Sequence, residues 1–357
     1  MTMTLDGTEV AAPRERDGLQ YPFPAKPEPG KTVEIAPGIH WIRQPLPFQL
    51  NHINVWLIED GHGWAVVDTG IASSTSKDLW RQVLAHMGDK PVTKVIVTHL
   101  HPDHVGLAGW LVKKFNAPLY MSRTDYLLCR TLVMDTGQPA PDEGVLFYKA
   151  AGFPDDMIEE YKRRFGGFGM GVHRLPQSFQ RLVDGQELVV GKHRWRMVVG
   201  RGHAPEHICL WCPELKLMIS GDQILPRISS NVSVFPTEPD ANPLQEWLDS
   251  CKHLRTLIPD ETLICPAHNE PFYGVKTRMT QLIDGHEEGM AKLLELCATP
   301  KRAVDTFPAL FRTKITGGNY GMATGESLAH LNCLIARGQL TRTRDADGID
   351  WYAPAQV

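Results

Sequence analysis

The alternation of hydrophobic and polar positions predicts a series of strands in the first third of the chain. From Thr32, the stretches TVEIAPGIHWIRQ, INVWLIED and WAVVDTG are separated by glycine and charged turns. Ser74–His86 then has helical spacing, residues 94–98 (KVIVT) form a short apolar run typical of a buried strand, and residues 103–115 predict a helix. Because strands and helices are mixed along the chain, the pattern predicts a layered α/β architecture.

The second half of the chain repeats this order. The stretches RWRMVVG, HICLWC, KLMISGD and TLICPA predict strands, and helices are expected over Pro243–Leu257 and from about residue 275 to 297. Residues 122–178 depart from the rhythm, because they are helical and end in the glycine-rich RRFGGFGMGVH. These glycines match neither phosphate-binding fingerprint. The helical pattern of the segment indicates an insertion between core strands. We expect this insertion to cover the candidate site as a lid.

The two ends of the chain differ from its centre. Residues 1–30 are polar and proline-rich and predict an extended N-terminal arm. Residues 290–357 predict three short helices and then a hairpin whose turn is Asp347-Gly348. Residues 31–289 would then form the main domain, with residues 290–357 as a small second domain.

Composition restricts the class of protein. A chain of 357 residues with 42% hydrophobic and 22% charged residues can bury a sizeable core. The net charge of −4 disfavours a dedicated nucleic-acid binder. No apolar run of about 18 residues predicts a transmembrane helix, and the N-terminal residues lack the apolar core of a signal peptide. The seven scattered cysteines form no disulfide framework, which predicts a cytoplasmic protein.

The strongest chemical signal is THLHPDHVG at residues 98–106. It places His99, His101, Asp103 and His104 directly after a buried strand. Imidazole nitrogens and carboxylate oxygens are ligands that Zn²⁺ accepts. Since alternate residues at the end of a strand point the same way, His99 and His101 can hold one ion together. Asp103 and His104 fall where the helix begins and can reach a second ion.

This motif resembles the signature of the metallo-β-lactamase fold superfamily, whose fold is a four-layer αββα sandwich. The resemblance implies three further ligands, and candidates follow in the expected order: His203 in RGHAPEH, Asp222 in SGD, and His268 in CPAH. It places His203 with His99 and His101 at the first ion and His268 with Asp103 and His104 at the second. Asp222 would bridge the two ions. The resemblance covers about residues 30–285.

Residues behind the ligands are also implied by this resemblance. Asp68, in VDTG, matches an aspartate at an early strand end and would orient a ligand histidine, as metal sites commonly require. His207 is a candidate for a similar supporting position.

Two residues differ from the pattern of particular subfamilies and so disfavour those subfamilies. Asp222 stands where some zinc β-lactamases have cysteine, and His101 stands where the flavodiiron oxygen reductases have glutamate, which favours a hydrolytic site.

A nearer resemblance concerns SGDQILPRISSNVSVFP, which is similar to a branch of the superfamily that continues into a small winged-helix-like module. Gln223 replaces a histidine of that branch. The resemblance makes residues 327–337 the recognition-type helix and residues 340–352 the wing. Residues 290–357 contain eight Lys/Arg and six Asp/Glu, a weak positive balance. The module is therefore interpreted as a packing or dimerisation unit, compatible with a homodimer, rather than as a DNA reader.

Two divalent ions, most simply zinc but also manganese or iron, would hold a bridging hydroxide that attacks the substrate. Asp103 is predicted to be catalytic, both as a ligand and as a proton carrier. Tyr273 is a candidate donor to a developing oxyanion, although a tyrosine of the core fits the sequence equally well. Further pocket candidates are Arg227, for which a surface salt bridge is the alternative, and His173 and Tyr126 on the insertion.

These residues predict a two-metal hydrolase acting on an ester, thioester or lactone of a small molecule. Nucleic-acid processing by a phosphodiesterase or ribonuclease is the alternative, because some relatives with a winged tail cut RNA. The negative net charge speaks against it. A non-catalytic binding protein is a third hypothesis, disfavoured by the complete set of ligand residues.

Overall fold

The computed structural model describes residues 14–48 and 50–355. The strands, in chain order, are β1 (Arg14–Arg16), β2 (Leu19–Tyr21), β3 (Val33–Ala36), β4 (Ile39–Pro45), β5 (His52–Asp60), β6 (Gly63–Val67), β7 (Val92–Ile96), β8 (Leu119–Met121), β9 (Gln180–Arg181), β10 (Glu187–Val190), β11 (His193–Gly200), β12 (His207–Cys212), β13 (Leu217–Gly221), β14 (Leu263–Pro266), β15 (Leu340–Arg344) and β16 (Asp350–Pro354).

The α-helices are α1 (Ser74–His86), α2 (Pro102–Val105), α3 (Ala108–Phe115), α4 (Arg123–Met134), α5 (Asp142–Ala150), α6 (Asp155–Arg164), α7 (Pro243–Leu257), α8 (Val275–Leu296), α9 (Phe307–Leu310) and α10 (Tyr320–Ala336). Short 3₁₀ turns occupy Gly167–Gly171 and Ala303–Thr306. Within the part of the chain that the structure describes, no helix is both long and apolar enough to cross a membrane.

Two mixed sheets form the centre of the molecule. The first has the strand order β3-β4-β5-β6-β7-β8-β9, and the second has the order β10-β11-β12-β13-β14. The pairs β6–β7 and β7–β8 are parallel, as is β13–β14. The loops that carry the candidate ligands follow the carboxyl ends of β7, β11, β13 and β14, and Asp68 directly follows β6, so the topology brings distant motifs together.

Alternate residues of the central strands pack on opposite sides, which divides the core into layers. On β5, Val55 and Leu57 pack with helices α1 and α3, whereas Trp56 and Ile58 face the second sheet. On β12, Leu210 faces the first sheet, and the opposite face packs on α7 and α8. Helices thus cover the outer faces of two stacked sheets, and the predicted αββα sandwich is confirmed.

The C-x-x-C pair lies on β12, where the alternation of side chains separates its two members. Cys209 packs toward the outer helices and Cys212 toward the space between the sheets. Both thiols are buried and free. The two sulfurs therefore do not share a ligand position, which agrees with their interpretation as core residues.

The helical insertion packs against the C-terminal part of the chain through aromatic rings. Phe153 contacts Tyr320 of α10, with ring centroids 4.9 Å apart. Tyr320 in turn contacts Phe307 of α9 at 5.2 Å, and Tyr148 of α5 lies 4.6 Å from Phe153. These rings of the insertion therefore join it to the C-terminal elements.

The N-terminal segment differs from the predicted extended arm. Residues 14–21 form the β1–β2 hairpin, whose Leu19 and Tyr21 are buried against α8. The main chain of Gln20 bonds to that of Tyr273 in both directions. The two apolar side chains make this hairpin part of the core, a contact that the polar, proline-rich composition conceals. Residues 1–13 lie outside the described residues.

The C-terminal elements are helices followed by a hairpin. Helix α10 begins at Tyr320, earlier than the helix predicted from residue 327, and β15 pairs with β16 in antiparallel register. The likeness to a winged helix stays a prediction.

Candidate metal centre

The first ligand loop leaves the end of β7 and leads into α2. Thr98 fixes this loop, because its N–H and its hydroxyl donate to the two oxygens of Asp68 at 2.8 Å each. Asp68 itself follows β6 and has a φ of +58°. His99 comes directly after Thr98 and is fully buried. The end of the parallel pair β6–β7 thus places the loop that carries four of the predicted ligands.

Four predicted ligands converge in a first group. Nε2 of His99 lies 2.9 Å from Nδ1 of His101 and 3.2 Å from Nε2 of His203. Nε2 of His203 lies 3.3 Å from Oδ2 of Asp222. One donor atom from each of these side chains lies within 4.8 Å of the others.

A second group adjoins the first. Nε2 of His268 lies 3.4 Å from Oδ2 of Asp103, and Nε2 of His104 lies 3.7 Å from the same oxygen. Oδ1 of Asp222 is 3.5 Å from Nε2 of His104 and 3.4 Å from Nε2 of His268. Asp222 therefore presents one oxygen to each group, as expected for a bridging ligand.

The donor atoms fit a pair of divalent cations. Nε2 of His104 and Oδ1 of Asp222 are buried and have no hydrogen-bond partner among the described residues. Leaving such atoms unpaired in the interior is costly. A cation between them would satisfy both, and imidazole nitrogens with carboxylate oxygens suit borderline divalent metals. The His/Asp cluster thus fits a dinuclear metal site.

The ligand histidines are oriented by hydrogen bonds from their outer nitrogens. Nδ1 of His104 donates to Oδ2 of Asp68 at 2.8 Å. Nδ1 of His203 donates to the carbonyl oxygen of Asn231 at 2.7 Å, and Nδ1 of His268 donates to that of His52 at 2.8 Å. Such contacts fix the tautomer and leave Nε2 free to bind a metal.

The charge states of the side chains favour cation binding. Burial, reinforced by neighbouring imidazoles, holds the pKa of His99 well below its ordinary value. Burial likewise lowers the pKa of His101 to about 3. Both rings are therefore neutral and keep a lone pair for coordination. Burial acts in the same direction on His104, but the carboxylates of Asp68 and Asp222 outweigh it and raise its pKa. The field at this end of the cluster attracts positive charge.

His207 supports the cluster from behind. Its Nε2 accepts a hydrogen bond from the main-chain N–H of Asp222 at 3.0 Å, and its ring stacks on His99 with centroids 4.6 Å apart. Gly221, which precedes Asp222, has a φ of +51°, and a Cβ atom there would lie 2.6 Å from the His207 ring. Glycine is thus required where the turn meets the imidazole.

The Gly221→Ala variant should lower the free energy of unfolding by about 2–4 kcal/mol, because backbone strain is added to a steric clash. Urea unfolding of the metal-free protein measures this change. Gly61→Ala is the matched control, since Gly61 has a φ of +65° and a Cβ atom added there would meet no described atom within 4 Å. The control should lose about 1–2 kcal/mol. Equal losses in both variants would contradict the steric argument.

The structure places two of the predicted pocket residues in other surroundings. Tyr126 is buried, stacks on Phe179 and donates from its hydroxyl to the carbonyl oxygen of Pro176 at 2.7 Å. Tyr273 packs against the core between the two sheets, and burial raises its pKa. Tyr273 is thus partly buried and packed, as the alternative of a core tyrosine predicts, and its role as an oxyanion donor stays a prediction.

The remaining two pocket candidates, Arg227 and His173, differ in what their side chains contact. Arg227 pairs with the buried Glu270 at 2.7 Å, and its guanidinium lies over the ring of Tyr21. Arg227 thus forms an ion pair, but with a buried carboxylate rather than at the surface as the alternative proposed. His173 donates from its main-chain N–H to the carbonyl oxygen of Gly106, just after α2. The ion pair accounts for the Arg227 side chain, whereas Nδ1 of His173 is buried without a hydrogen-bond partner among the described residues, and the place of both residues in a substrate pocket stays a prediction.

Several supporting residues escape the sequence-based prediction. The main-chain carbonyls of Asn231 and His52 hold ligand histidines, and a carbonyl leaves no mark on residue type. Asn54 donates to the carbonyls of Pro266 and Asn269 on either side of His268. The sequence does offer one sign of Asn54, which is a polar residue inside the largely apolar run INVWLIED.

Family models match two parts of the chain. Residues 49–268 match the model of the metallo-beta-lactamase superfamily. Residues 290–355 match the model described as the metallo-beta-lactamase-like C-terminal domain. The chain belongs to the metallo-beta-lactamase superfamily and carries its C-terminal domain.

Individual relatives agree with this assignment. A beta-lactamase domain protein from Burkholderia ambifaria superposes with a TM-score of 0.87 at 38% identity, over 94% of this chain and 98% of that one. The probable metallo-hydrolase YqjP of Bacillus subtilis (strain 168) is 24% identical over 84% of this chain and 93% of its own length. A hydroxyacylglutathione hydrolase of Rhodospirillum rubrum is 28% identical over 42% of this chain and 57% of its own length. The chain is a metal-dependent hydrolase of this superfamily.

Proposed function

We propose that the protein hydrolyses an ester, thioester or lactone of a small molecule at a dinuclear site. The observation that carries the proposal is Asp222, whose two oxygens face the two groups of ligand side chains. Zinc is the favoured metal because nitrogen and oxygen donors suit it. When bound, the two ions supply a Lewis acid for the substrate's carbonyl oxygen and a source of hydroxide at neutral pH.

The side chains of this site have separate roles in the proposal. His99, His101 and His203 would hold the first ion together with Oδ2 of Asp222, and the neutral rings of His99 and His101 would leave part of its positive charge available to the substrate oxygen. Asp103 would hold the second ion through Oδ2, the oxygen that faces His104 and His268, and would carry a proton on its other oxygen, Oδ1, during turnover. Its side chain is 19% exposed, against 11% for Asp222, so it is the carboxylate better placed to exchange a proton with water.

A thioester is the first substrate to examine. The relative from Rhodospirillum rubrum is named for the hydrolysis of hydroxyacylglutathione, a thioester. It aligns with part of this chain only, so its particular substrate is not transferred. Thioesters, esters and lactones share an acyl carbonyl carbon, and we propose that this carbon is the atom attacked.

Three arginines near the C-terminal hairpin favour a small-molecule substrate over nucleic acid. Arg337 pairs with Glu287 at 2.7 Å and Arg342 with Asp240 at 2.8 Å. Arg344 pairs with Asp350 at 2.7 Å. Cations already paired with carboxylates contribute little to the neutralisation of phosphates. We therefore rank phosphodiester hydrolysis below carbonyl hydrolysis.

We further propose that residues 290–357, the winged-helix-like domain, brace the catalytic domain of residues 31–289. Oε2 of Glu326 on α10 accepts from the side-chain amide of Asn231 at 2.9 Å, and the carbonyl of Asn231 holds His203. The insertion at residues 122–178 would close the pocket from the other side. The free, buried thiols agree with a reducing, cytoplasmic location.

The experiment that tests the proposed function is a comparison of initial rates on one panel of substrates. Zinc-loaded protein is assayed on an aryl ester, an acyl thioester, a lactone, a cephalosporin and single-stranded RNA. Selective turnover of the aryl ester, the acyl thioester or the lactone is the expected result. Turnover of RNA alone, at a rate that falls steeply with salt, would overturn the proposal in favour of a ribonuclease.

Asp103→Asn tests the proton-carrying role. The amide keeps an oxygen for the metal but cannot take up a proton in its place, so turnover should fall by about 10²-fold or more. Occupancy of the first ion, held by His99, His101 and His203, should change little. Rates and metal content are measured on the same samples. Equal losses of turnover and of the first ion would contradict the role.

A further inference from the structure

Asp125 lies in the first turn of α4, at the start of the helical insertion, and its carboxylate is fully buried. Oδ1 accepts from the main-chain N–H of Leu100 at 3.0 Å. Oδ2 accepts from the main-chain N–H of Glu206 at 2.9 Å and from the hydroxyl of Ser122 at 3.0 Å. One carboxylate thus contacts three separate points of the chain.

Two of these points belong to the loops of the first metal group. Leu100 lies between His99 and His101, and Glu206 lies three residues after His203. The two loops are far apart in the chain, and Asp125 accepts one N–H from each. The second group is held differently, by Asp68 and by the carbonyl of His52.

The sequence around Asp125 conceals this arrangement. Ser122 and Asp125 have the spacing of a capping box, in which the acid would bond to the start of its own helix. In the structure the Ser122 side chain makes no capping bond, and its hydroxyl donates to Asp125 instead. The carboxylate is therefore available for the ligand loops.

We propose that Asp125 is a positioning residue that sets the distance between the two loops of the first metal group and thereby controls how tightly this group binds its ion. The inference rests on the metal site assigned above. An ionised carboxylate can accept both N–H groups at once, one on each oxygen. An asparagine would turn an NH₂ group toward one of the two N–H donors and release that loop.

Burial raises the pKa of Asp125 to about 6, although the hydrogen bonds from Glu206, Ser122 and Leu100 oppose this rise. The carboxylate is thus mostly ionised at about pH 7.5, where the test is run. Outer contacts of this kind alter metal affinity by about 10–100-fold when they are removed. We expect that range for the first group and little change for the second.

The experiment separates the two groups with background variants. The His268→Ala variant removes a ligand of the second group and leaves the first group intact. The His203→Ala variant removes a ligand of the first group and leaves the second group intact. Zn²⁺ affinity is measured by competition with a chromophoric chelator, with and without Asp125→Asn. The substitution should weaken binding by about 10–100-fold in the His268→Ala background and by less than about twofold in the His203→Ala background.

Ser122→Ala is the matched control, because it removes the third hydrogen bond and leaves both loop contacts in place. It should keep the affinity of the parent in both backgrounds. Thermal unfolding of the metal-free variants verifies that they fold. If Asp125→Asn does not fold, Asp125→Glu replaces it, since the longer carboxylate stays charged but shifts both loops, and the same selective loss is expected.

Equal weakening in the two backgrounds, or none in either, would overturn the positioning role. Failure of the unsubstituted protein to bind two Zn²⁺ ions would instead count against the proposed dinuclear site. The two failures are therefore distinguishable.

Discussion

Asp222→Ala is expected to remove both metal ions and to lower kcat/KM on a carbonyl substrate by about 10³-fold, the scale of losing a major electrostatic contribution in a catalytic site. The physical reason is that Oδ1 and Oδ2 of this one side chain face different groups of ligands. Without this carboxylate, the ligand histidines and Asp103 alone would have to hold two divalent charges. Metal content after dialysis and steady-state rates on the same sample measure the effect.

The control for this variant is Asp249→Ala, which removes an exposed carboxylate of α7 that is paired with Lys252. It should keep two ions and full activity. An Asp222→Ala protein that still binds two ions would contradict the bridging geometry. Loss of a single ion would show that Asp222 serves one group only.

Asp68→Asn has the second largest expected effect. Asp68 accepts three hydrogen bonds, from the N–H and hydroxyl of Thr98 and from Nδ1 of His104. An amide cannot accept all three, so at least one buried donor is left unpaired, at a cost of about 1–3 kcal/mol in the free energy of unfolding. The loss of orientation at His104 should weaken the second ion by about 10–100-fold.

Chelator competition and urea unfolding test this prediction together. Asp60→Asn is the control, because Asp60 on β5 also accepts from several donors, namely Thr93 and Lys94 of β7 and the N–H of Gly191 in the β10–β11 turn of the second sheet. It should lower stability without changing metal affinity. A comparable loss of metal affinity in both variants would mean that Asp68 acts only through the stability of the sheet.

The ligand set is predictable because the chemistry is concentrated in sequence. THLHPDHVG supplies four side chains in six residues, and the resemblance supplies His203, Asp222 and His268 at strand ends. The structure brings these ligand side chains together. The αββα architecture is predictable for a related reason, since apolar runs such as KVIVT reveal buried strands whose carboxyl ends meet at one edge.

Other features depend on tertiary contacts that residue type does not encode. Asn231 holds His203 through a main-chain carbonyl, and Asp125 resembles an ordinary helix-capping acid. A tyrosine such as Tyr126 is ambiguous in sequence, because its hydroxyl can serve a pocket or the core and only packing shows which use applies. The β1–β2 hairpin escapes prediction because Leu19 and Tyr21 are isolated apolar residues in a polar segment.

The proposed function requires that two divalent ions occupy the two adjoining His/Asp groups. Anomalous diffraction from crystals grown with zinc, recorded on both sides of the zinc edge, tests it most directly. Two peaks per chain are expected, one among His99, His101 and His203 and one among Asp103, His104 and His268, with Asp222 between them. A single peak, or peaks bound to other side chains, would contradict it.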